Sequence, residues 1–426
     1  MSDVIAEFRW RGLLQDLSEG VEAHLASGSR VCYVGFDPTA SSLHVGTLLP
    51  IMGLIHLQRH GHHPVALVGG GTGLIGDPSG KAQERPLVST ETVSANTEAI
   101  RAQLDHFLDF RSGQNPARMH NNCEWLDEIR MVDFLRDTGK HFRVNDMMRK
   151  ESVRRRLDAE DSGVSYTEFS YLLLQSYDFL ELQRREGCTV QLGGSDQWGN
   201  ITAGIDLIRR VTGQQAYGVV FPLLTNVSGT KFGKTEAGTV WLDPNRTSPY
   251  RFYQFWINTA DEDALRFLRL FTLLERDEVE RIAENAGAEP AARHAQRALA
   301  EDVTRRVHGE SGLAHARRAT AALFGGELEG LSADEIGDIF ADVPSGEVER
   351  DRLGGEGIAV VELLAESGLA PSKGDARRAI EGGGIYVNGK RVDGMDTRVT
   401  LDDPFEGRFL VLRKGKKNYQ LMRVVR

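Results

Sequence analysis

Lysine is the scarce charge in this sequence. The 426 residues hold 10 lysines against 41 arginines. Lys81 stands alone in the first 139 residues, and between 151 and 372 the chain has only Lys231 and Lys234, both in one pentapeptide. Where a solvated face needs nothing but charge, this chain uses arginine. A retained lysine therefore marks either chance or a place that wants a compact ammonium. Cysteine is nearly as rare: Cys32, Cys123 and Cys188 lie far apart and form no CxxC pair. That argues against a disulfide framework and a structural zinc site, and fits a reducing compartment, the cytoplasm. No apolar run approaches the ~18 residues of a membrane-spanning helix. The N-terminal MSDVIAEFRWRGLLQD mixes acids with apolar residues, so neither a signal peptide nor a membrane partner is expected.

What is present is an ordinary globular composition, 40% hydrophobic and 26% charged, long enough for two or three domains. The net charge of −10 argues at first against a nucleic-acid partner. The charge is uneven, however. Residues 351–426 carry 14 basic and 11 acidic side chains, net +3, which leaves −13 for the remainder. A nucleic acid would meet local basic patches.

The segments VCYVGF (31–36), PVALVGG (64–70) and CTVQLGG (188–194) read as buried strands. Helical stretches follow them, at 44–60, at 89–110 and from near Asn200. Strands alternating with helices indicate a Rossmann-like α/β domain with a parallel sheet, over 1–225. In such sheets ligands bind beyond the carboxyl ends of the strands, and all three loops there are rich in Gly, Asp, Ser and Thr. A loop region spans 226–247. From Ser248-Pro249, a good helix start, the pattern is helical to about 325. Residues 326–350 hold eight acids and one base and read as an acidic linker. Over 351–426 two short helices precede IYVNGKRV, a hairpin turning at Asn388-Gly389, so a small α+β domain is expected.

Four groups of residues carry chemistry. His44-Val45-Gly46-Thr47 follows Asp37-Pro38-Thr39 where a strand passes to a helix N-terminus, which attracts anions. His44 adds a donor and Gly46 permits close backbone approach, although a surface histidine would look the same. Lys231-Phe232-Gly233-Lys234-Thr235 follows Ser228-Gly229-Thr230. Two lysines and hydroxyls on such a loop can close on a triphosphate, or form an exposed basic turn. Tyr171, Gln175 and Asp178 share one face of an apolar helix at i, i+4 and i+7. They are satisfied within the core, or they line a pocket for a ligand with a cationic and a hydroxyl end. Gly194-Ser195-Asp196-Gln197 ends a strand, where the aspartate can accept from a ribose hydroxyl or cap a helix. A rival motif, GTGLIG at 71–76, matches GxGxxG and would imply a dehydrogenase. Asp77 follows at once and would place a carboxylate where pyrophosphate should sit, so that reading is rejected.

HVGT resembles the HIGH signature of class I aminoacyl-tRNA synthetases, and KFGKT resembles their KMSKS loop. The surrounding YVGFDPTASSLHVG, GLIGDPSGK, EFSYLLLQSYDF and GGSDQWGNITAG are similar to bacterial-type tyrosyl-tRNA synthetases, over nearly the whole chain. Thr47 stands where the signature has its second histidine, and Pro50 is not required by the general pattern. The resemblance implies tyrosine activation by ATP with Mg²⁺, transfer to tRNA(Tyr), and a homodimer. It implies that Tyr33 and Asp178 meet the phenol hydroxyl, that Tyr171, Gln175 and Asp77 hold the α-ammonium, and that Gln191 lines the same pocket. Gly194 and Asp196 would face the ribose, with Gln197 near the activated carboxyl and Gly35, Asp37 and Gly46 at the nucleotide. Thr39, His44, Lys231, Lys234 and Thr235 would bear on the phosphates, joined by Lys81 and Arg85. Residues 354–420 resemble an S4-type RNA-binding domain, with Lys373, Arg377, Arg378, Lys390, Arg391, Arg413, Lys414, Lys416 and Lys417 as tRNA contacts. Two other functions stay open: a related nucleotidyltransferase acting on another small molecule, and an inactive RNA-binding paralogue.

Overall fold

Short β-branched and apolar runs form the central sheet because helices cover both of its faces. The computed structural model describes residues 3–79, 88–111, 113–150, 153–154, 164–225, 232–235, 238–323, 325–341, 343–415 and 418–426. Six strands make the sheet: β1 Asp16–Leu17, β2 Val31–Phe36, β3 His63–Val68, β4 Arg118–Asn121, β5 Cys188–Gly194 and β6 Tyr217–Phe221. Their order is β1-β6-β5-β2-β3-β4, with β1 antiparallel to β6 and all other pairs parallel. The chain moves outward through β3 and β4, then returns to β2's other side with β5. That reversal opens a crevice at the carboxyl ends of β2 and β5, the place where such sheets bind ligands.

The helix Tyr166–Glu186 crosses one face of the sheet. Ser165 caps its start by accepting from the Glu168 amide, and Gly187, at φ 66°, ends it in the left-handed conformation. Phe179, Leu180 and Leu182 from this helix pack with Tyr33, Val65, Leu67 and Leu207 in one buried cluster. The helix Trp198–Thr212 shares that cluster through Leu207 and Ile208.

The chain divides into two compact units, Met1–Arg246 with Trp256–Val307, and Thr247–Phe255 with His308–Arg426. The helical stretch expected as a separate domain over 248–325 is thus shared between them. In the first unit Trp256, Phe267 and Phe271 pack around Phe232. In the second, Tyr250, Ala319 and Ala322 pack with Leu328, Ile336 and Phe340. The long helix His294–Ala322 is broken at Gly309, at φ 73° and ψ 179°.

The acidic stretch 326–350 is not a linker. It contains the helix Ala333–Ile339, opened by a capping box of Ser332 and Glu335, and the strand Ser345–Glu349. That strand pairs in parallel with Asn418–Val425 as the edge of a five-stranded sheet. Ala333, Ile336, Ile339 and Phe340 turn inward, while Glu327, Glu329, Asp334, Glu347 and Glu349 face solvent and Glu335 and Asp338 are half-buried. In the same sheet the hairpin of Ile385–Val387 and Lys390–Arg391 turns at Asn388 and Gly389, with φ of 50° and 78°.

Candidate active site

The crevice between β2 and β5 holds a cavity of about 220 Å³. It brings together Tyr33, Gly35, Asp37 and Thr39 from β2 and its loop, Asp77, the helix face of Tyr171, Gln175 and Asp178, and Gln191, Gly194 and Gln197 from β5 and its turn. Pro50, on the helix Leu48–Arg59, lines it too. The helical periodicity that put Tyr171, Gln175 and Asp178 on one face therefore aims them into a pocket rather than a closed core.

Asp178 is at its floor, with two donors on its carboxylate. Trp125 Nε1 donates to Oδ1 at 2.7 Å and Asn122 Nδ2 to Oδ2 at 3.0 Å. Burial pushes its pKa up to about 7 against the pull of those two hydrogen bonds. The Tyr33 hydroxyl is buried in the same cavity and, among the described residues, has no hydrogen-bond partner, and neither does Gln191 Oε1. Burial first, and then the Asp178 charge, hold the Tyr33 phenol well above its ordinary pKa. Buried polar atoms are nearly always satisfied. An orphan hydroxyl and an orphan amide oxygen in a cavity that also holds a buried carboxylate suit a ligand with polar atoms.

The other end of the cavity is a connected network. Tyr171 Oη donates to Asp37 Oδ2 and Thr72 Oγ1 to Asp37 Oδ1, both at 2.8 Å. Gln197 Nε2 donates to Asp77 Oδ2 at 2.7 Å, and the Ser79 amide donates to Asp77 Oδ1 at 2.9 Å. Asn200 Nδ2 reaches Gln175 Oε1 at 2.9 Å and Gln197 Oε1 at 3.1 Å. Carboxylates and amide oxygens converge here, as a cationic ligand group requires. Nothing in the sequence pattern marked Asn122, Trp125, Asn200 or Thr72. Asn122 follows a strand of only four residues, and its place beyond that strand's carboxyl end was the one signal available.

His44 and Gly46 lie outside the lining of this cavity, on the stretch that enters the helix Leu48–Arg59. His44 is extended, at φ −125° and ψ 169°, and Val45–Thr47 form a single 3-10 turn. The Gly46 amide donates to His44 Nδ1 at 3.0 Å, so the neutral ring carries its proton on Nε2. The stretch is also laced to the segment following KFGKT. The Val45 amide donates to Val240 O and the Leu242 amide to Leu43 O, with His44 bridged to Trp241. The Trp241 ring meets His44 edge-on at 6.3 Å, and Arg246 stacks on Trp241 at 3.6 Å. Phe232 anchors the other side, stacked on Phe271 at 5.3 Å. At Gly233, φ is 80°, and a Cβ there would stand 2.6 Å from Val45 Cγ2, so both backbone and space require glycine. The strands β7 Lys234–Thr235 and β8 Gly238–Thr239 pair as a hairpin. Lys81, Arg85, Lys231, Lys416 and Lys417 lie outside the described residues, as do the side chains of Lys234 and Thr235. Asp196 sits in the turn Ser195–Gln197, where a Cβ on Gly194 would come within 2.6 Å of its Oδ1.

In the second unit, Lys373, Arg377, Arg378, Lys390 and Arg391, expected to meet tRNA, are exposed, and two of them are paired. Lys373 bonds Glu362 at 2.6 Å, and Arg378 pairs with Asp375. Arg377, Lys390 and Arg391 are exposed, Lys414 is half-buried, and Arg413 stacks on Tyr386 at 3.8 Å.

The parallel sheet thus has a polar pocket at its switch point, and the HVGT stretch is laced to the segment following KFGKT. The family model described as "tRNA synthetases class I (W and Y)" matches residues 27–325, and "Tyrosine--tRNA ligase SYY-like C-terminal domain" matches 335–422. The chain is 56% identical to the tyrosine–tRNA ligase of Roseiflexus castenholzii, covering 100% of both chains. It is 51% identical to that of Bacillus caldotenax, over 99% of each. A C-terminally truncated mitochondrial tyrosyl-tRNA synthetase of Aspergillus nidulans superposes with a TM-score of 0.70 at 29% identity, covering 76% of this chain and 95% of that one. The chain belongs to the class I tyrosine–tRNA ligases.

Proposed function

We propose that the chain activates L-tyrosine with ATP to tyrosyl-adenylate and then transfers the tyrosyl group to the 3′ end of tRNA(Tyr). The tyrosine carboxylate attacks the ATP α-phosphorus in line, and pyrophosphate leaves with the bond pair. The terminal ribose hydroxyl of the tRNA then attacks the activated carbonyl, and AMP leaves. No covalent enzyme intermediate is needed, so the residues act by position and charge.

The observation that carries this reading is the Tyr33 hydroxyl, without a partner among the described residues, in the cavity that holds the Asp178 carboxylate. A ligand phenol completes both, donating to Asp178 and accepting from Tyr33. The acceptor-rich end at Asp77, Gln175 and Tyr171 suits the α-ammonium, and Gln191 Oε1 offers a further acceptor. This arrangement favours tyrosine over the other small molecules a related nucleotidyltransferase would take. Gly194 and Asp196 are assigned to the ribose, and Gly35, Asp37 and Gln197 to the region between amino acid and α-phosphate. His44 is assigned to the phosphates as a donor, with Thr39 and Gly46 nearby in the chain. The lysines of KFGKT, with Thr235, Lys81 and Arg85, neutralise charge developing on pyrophosphate. Mg²⁺ enters bound to ATP as part of that substrate.

The second unit is assigned to tRNA, through phosphate contacts from Arg377, Lys390, Arg391 and Lys414. A homodimer is supported by the apolar side chains of Met131, Val132 and Val144, which are 74%, 72% and 57% exposed. We place the enzyme in the cytoplasm, where tRNA and reduced cysteines coexist.

Tyr33→Phe tests the reading. It removes one neutral hydrogen bond, so the preference for tyrosine over phenylalanine should narrow by about 3- to 10-fold. The measurement is the ratio of kcat/KM for the two amino acids in ATP–pyrophosphate exchange. An unchanged ratio in a folded, active variant removes Tyr33 from phenol recognition.

A further inference from the structure

Thr47 stands where the HIGH signature has its second histidine, and its side chain turns back on the His44 backbone. Its Oγ1 donates to the His44 carbonyl at 2.6 Å and accepts from the His44 amide at 3.1 Å. The His44 ring in turn accepts from the Gly46 amide at 3.0 Å. The two residues thus form a reciprocal capping box in which the capping residue is itself the proposed phosphate donor. One hydroxyl meets both backbone polar groups of His44, and the carbonyl also accepts from the Thr47 amide at 2.8 Å. Together with the bonds of Leu43 and Val45 to the 240–242 stretch, the hydroxyl holds the φ and ψ of His44, and with them the direction in which the ring leaves the chain. The remaining ring nitrogen, Nε2, carries the donor proton.

We infer that Thr47 is a positioning residue for tyrosine activation, holding the His44 backbone so that Nε2–H is pre-aimed before ATP arrives. This rests on the assignment of His44 to the phosphates made above. A hydroxyl is the required chemistry because the same atom must donate and accept over the three-residue span. A valine of the same shape does neither, and an imidazole is too long to fold back on both groups. The histidine of the general signature would therefore not substitute for Thr47 in this chain. Pre-aiming acts where charge develops, so its loss should appear in the rate of activation and not in tyrosine affinity.

The experiment uses the full-length enzyme and single-turnover formation of tyrosyl-adenylate, with equilibrium tyrosine binding measured in parallel. Thr47→Val should slow activation by about tenfold, the equivalent of one to two neutral hydrogen bonds. Tyrosine binding should stay within about twofold. Thr47→Ser, which keeps the hydroxyl, should restore most of the rate, and Thr47→His should not. In a His44→Ala background the same Thr47→Val change should have no further effect, because there is no ring left to aim. If His44→Ala alone leaves activation unchanged, the phosphate assignment of His44 fails. If His44→Ala slows activation and Thr47→Val does not, the positioning role fails while that assignment stands. If Thr47→Val slows both backgrounds equally, Thr47 supports the fold and not His44, and the inference is overturned.

Discussion

Replacing Asp178 with asparagine should flatten the pH dependence of this protein's stability. Burial raises the Asp178 pKa from 3.8 to about 7, with Asp37 and Glu181 adding like charge and with Asn122 and Trp125 opposing. A carboxyl whose pKa is higher folded than unfolded binds its proton more tightly in the native state. Its penalty on stability is therefore absent below about pH 4 and grows as pH rises. It is complete above about pH 7. The gap from 3.8 to about 7 corresponds to about 4 kcal/mol. Of this, about 3 kcal/mol falls between pH 5 and pH 8. Wild type and Asp178→Asn would be unfolded in urea at both pH values without ligand. The difference of differences cancels the other titrating groups. The asparagine amide cannot accept from both Asn122 and Trp125, so the variant starts less stable, but the slope and not the level is the readout. Saturating tyrosine should also flatten the wild-type slope, since a phenol donating to Asp178 favours its ionised form. Identical slopes in wild type and variant would refute the argument that burial dominates at this residue.

Cutting the chain after Arg350 should expose the cluster of Leu331, Ile336, Ile339 and Phe340, because the strand Asn418–Val425 is removed from above it. The fragment should bind an apolar dye and melt earlier than full-length protein; unchanged melting would show that the cluster is not held by that strand. Exchanging both Lys231 and Lys234 for Arg should slow adenylate formation by about 10²-fold despite retained charge. Wild-type single-turnover rates would show that charge alone suffices. Aspartate at both Met131 and Val132 should convert a dimer to a monomer, read by sedimentation equilibrium. A mass unaffected by the pair would move the dimer surface elsewhere.

The strands over 31–36, 64–70 and 188–194 were legible because buried parallel strands are continuous apolar runs bounded by turn residues. Tyr171, Gln175 and Asp178 were legible because the helical period places them together whatever surrounds them. The resemblance carried the pocket roles further than spacing could. Asn122, Trp125 and Asn200 were not legible, since each reaches its partner on the pocket helix across 25 to 56 residues of sequence. The stretch 326–350 misled because most of its described acids lie on the outer faces. The inward pattern of Ala333, Ile336, Ile339 and Phe340 was nonetheless present, as was the Ser332–Glu335 cap. Thr47 was seen only as a departure from a motif, and its hydroxyl found its role once the backbone of His44 was in place.

The backbone lacing of Leu43 and Val45 to Val240 and Leu242 has a temporal side. A chain synthesised from its N-terminus has already made every described lining residue of the cavity by Gln197. The stretch that carries His44 still lacks its partner until Leu242 has emerged. Contacts of such long sequence separation form late and slowly, because the loop must close before they reward it. A nascent chain can thus complete its amino-acid pocket before its phosphate-handling stretch is ordered. Binding competence should precede chemical competence during refolding, and a stopped-flow experiment that follows tyrosine capture and adenylate formation together would resolve the two in time.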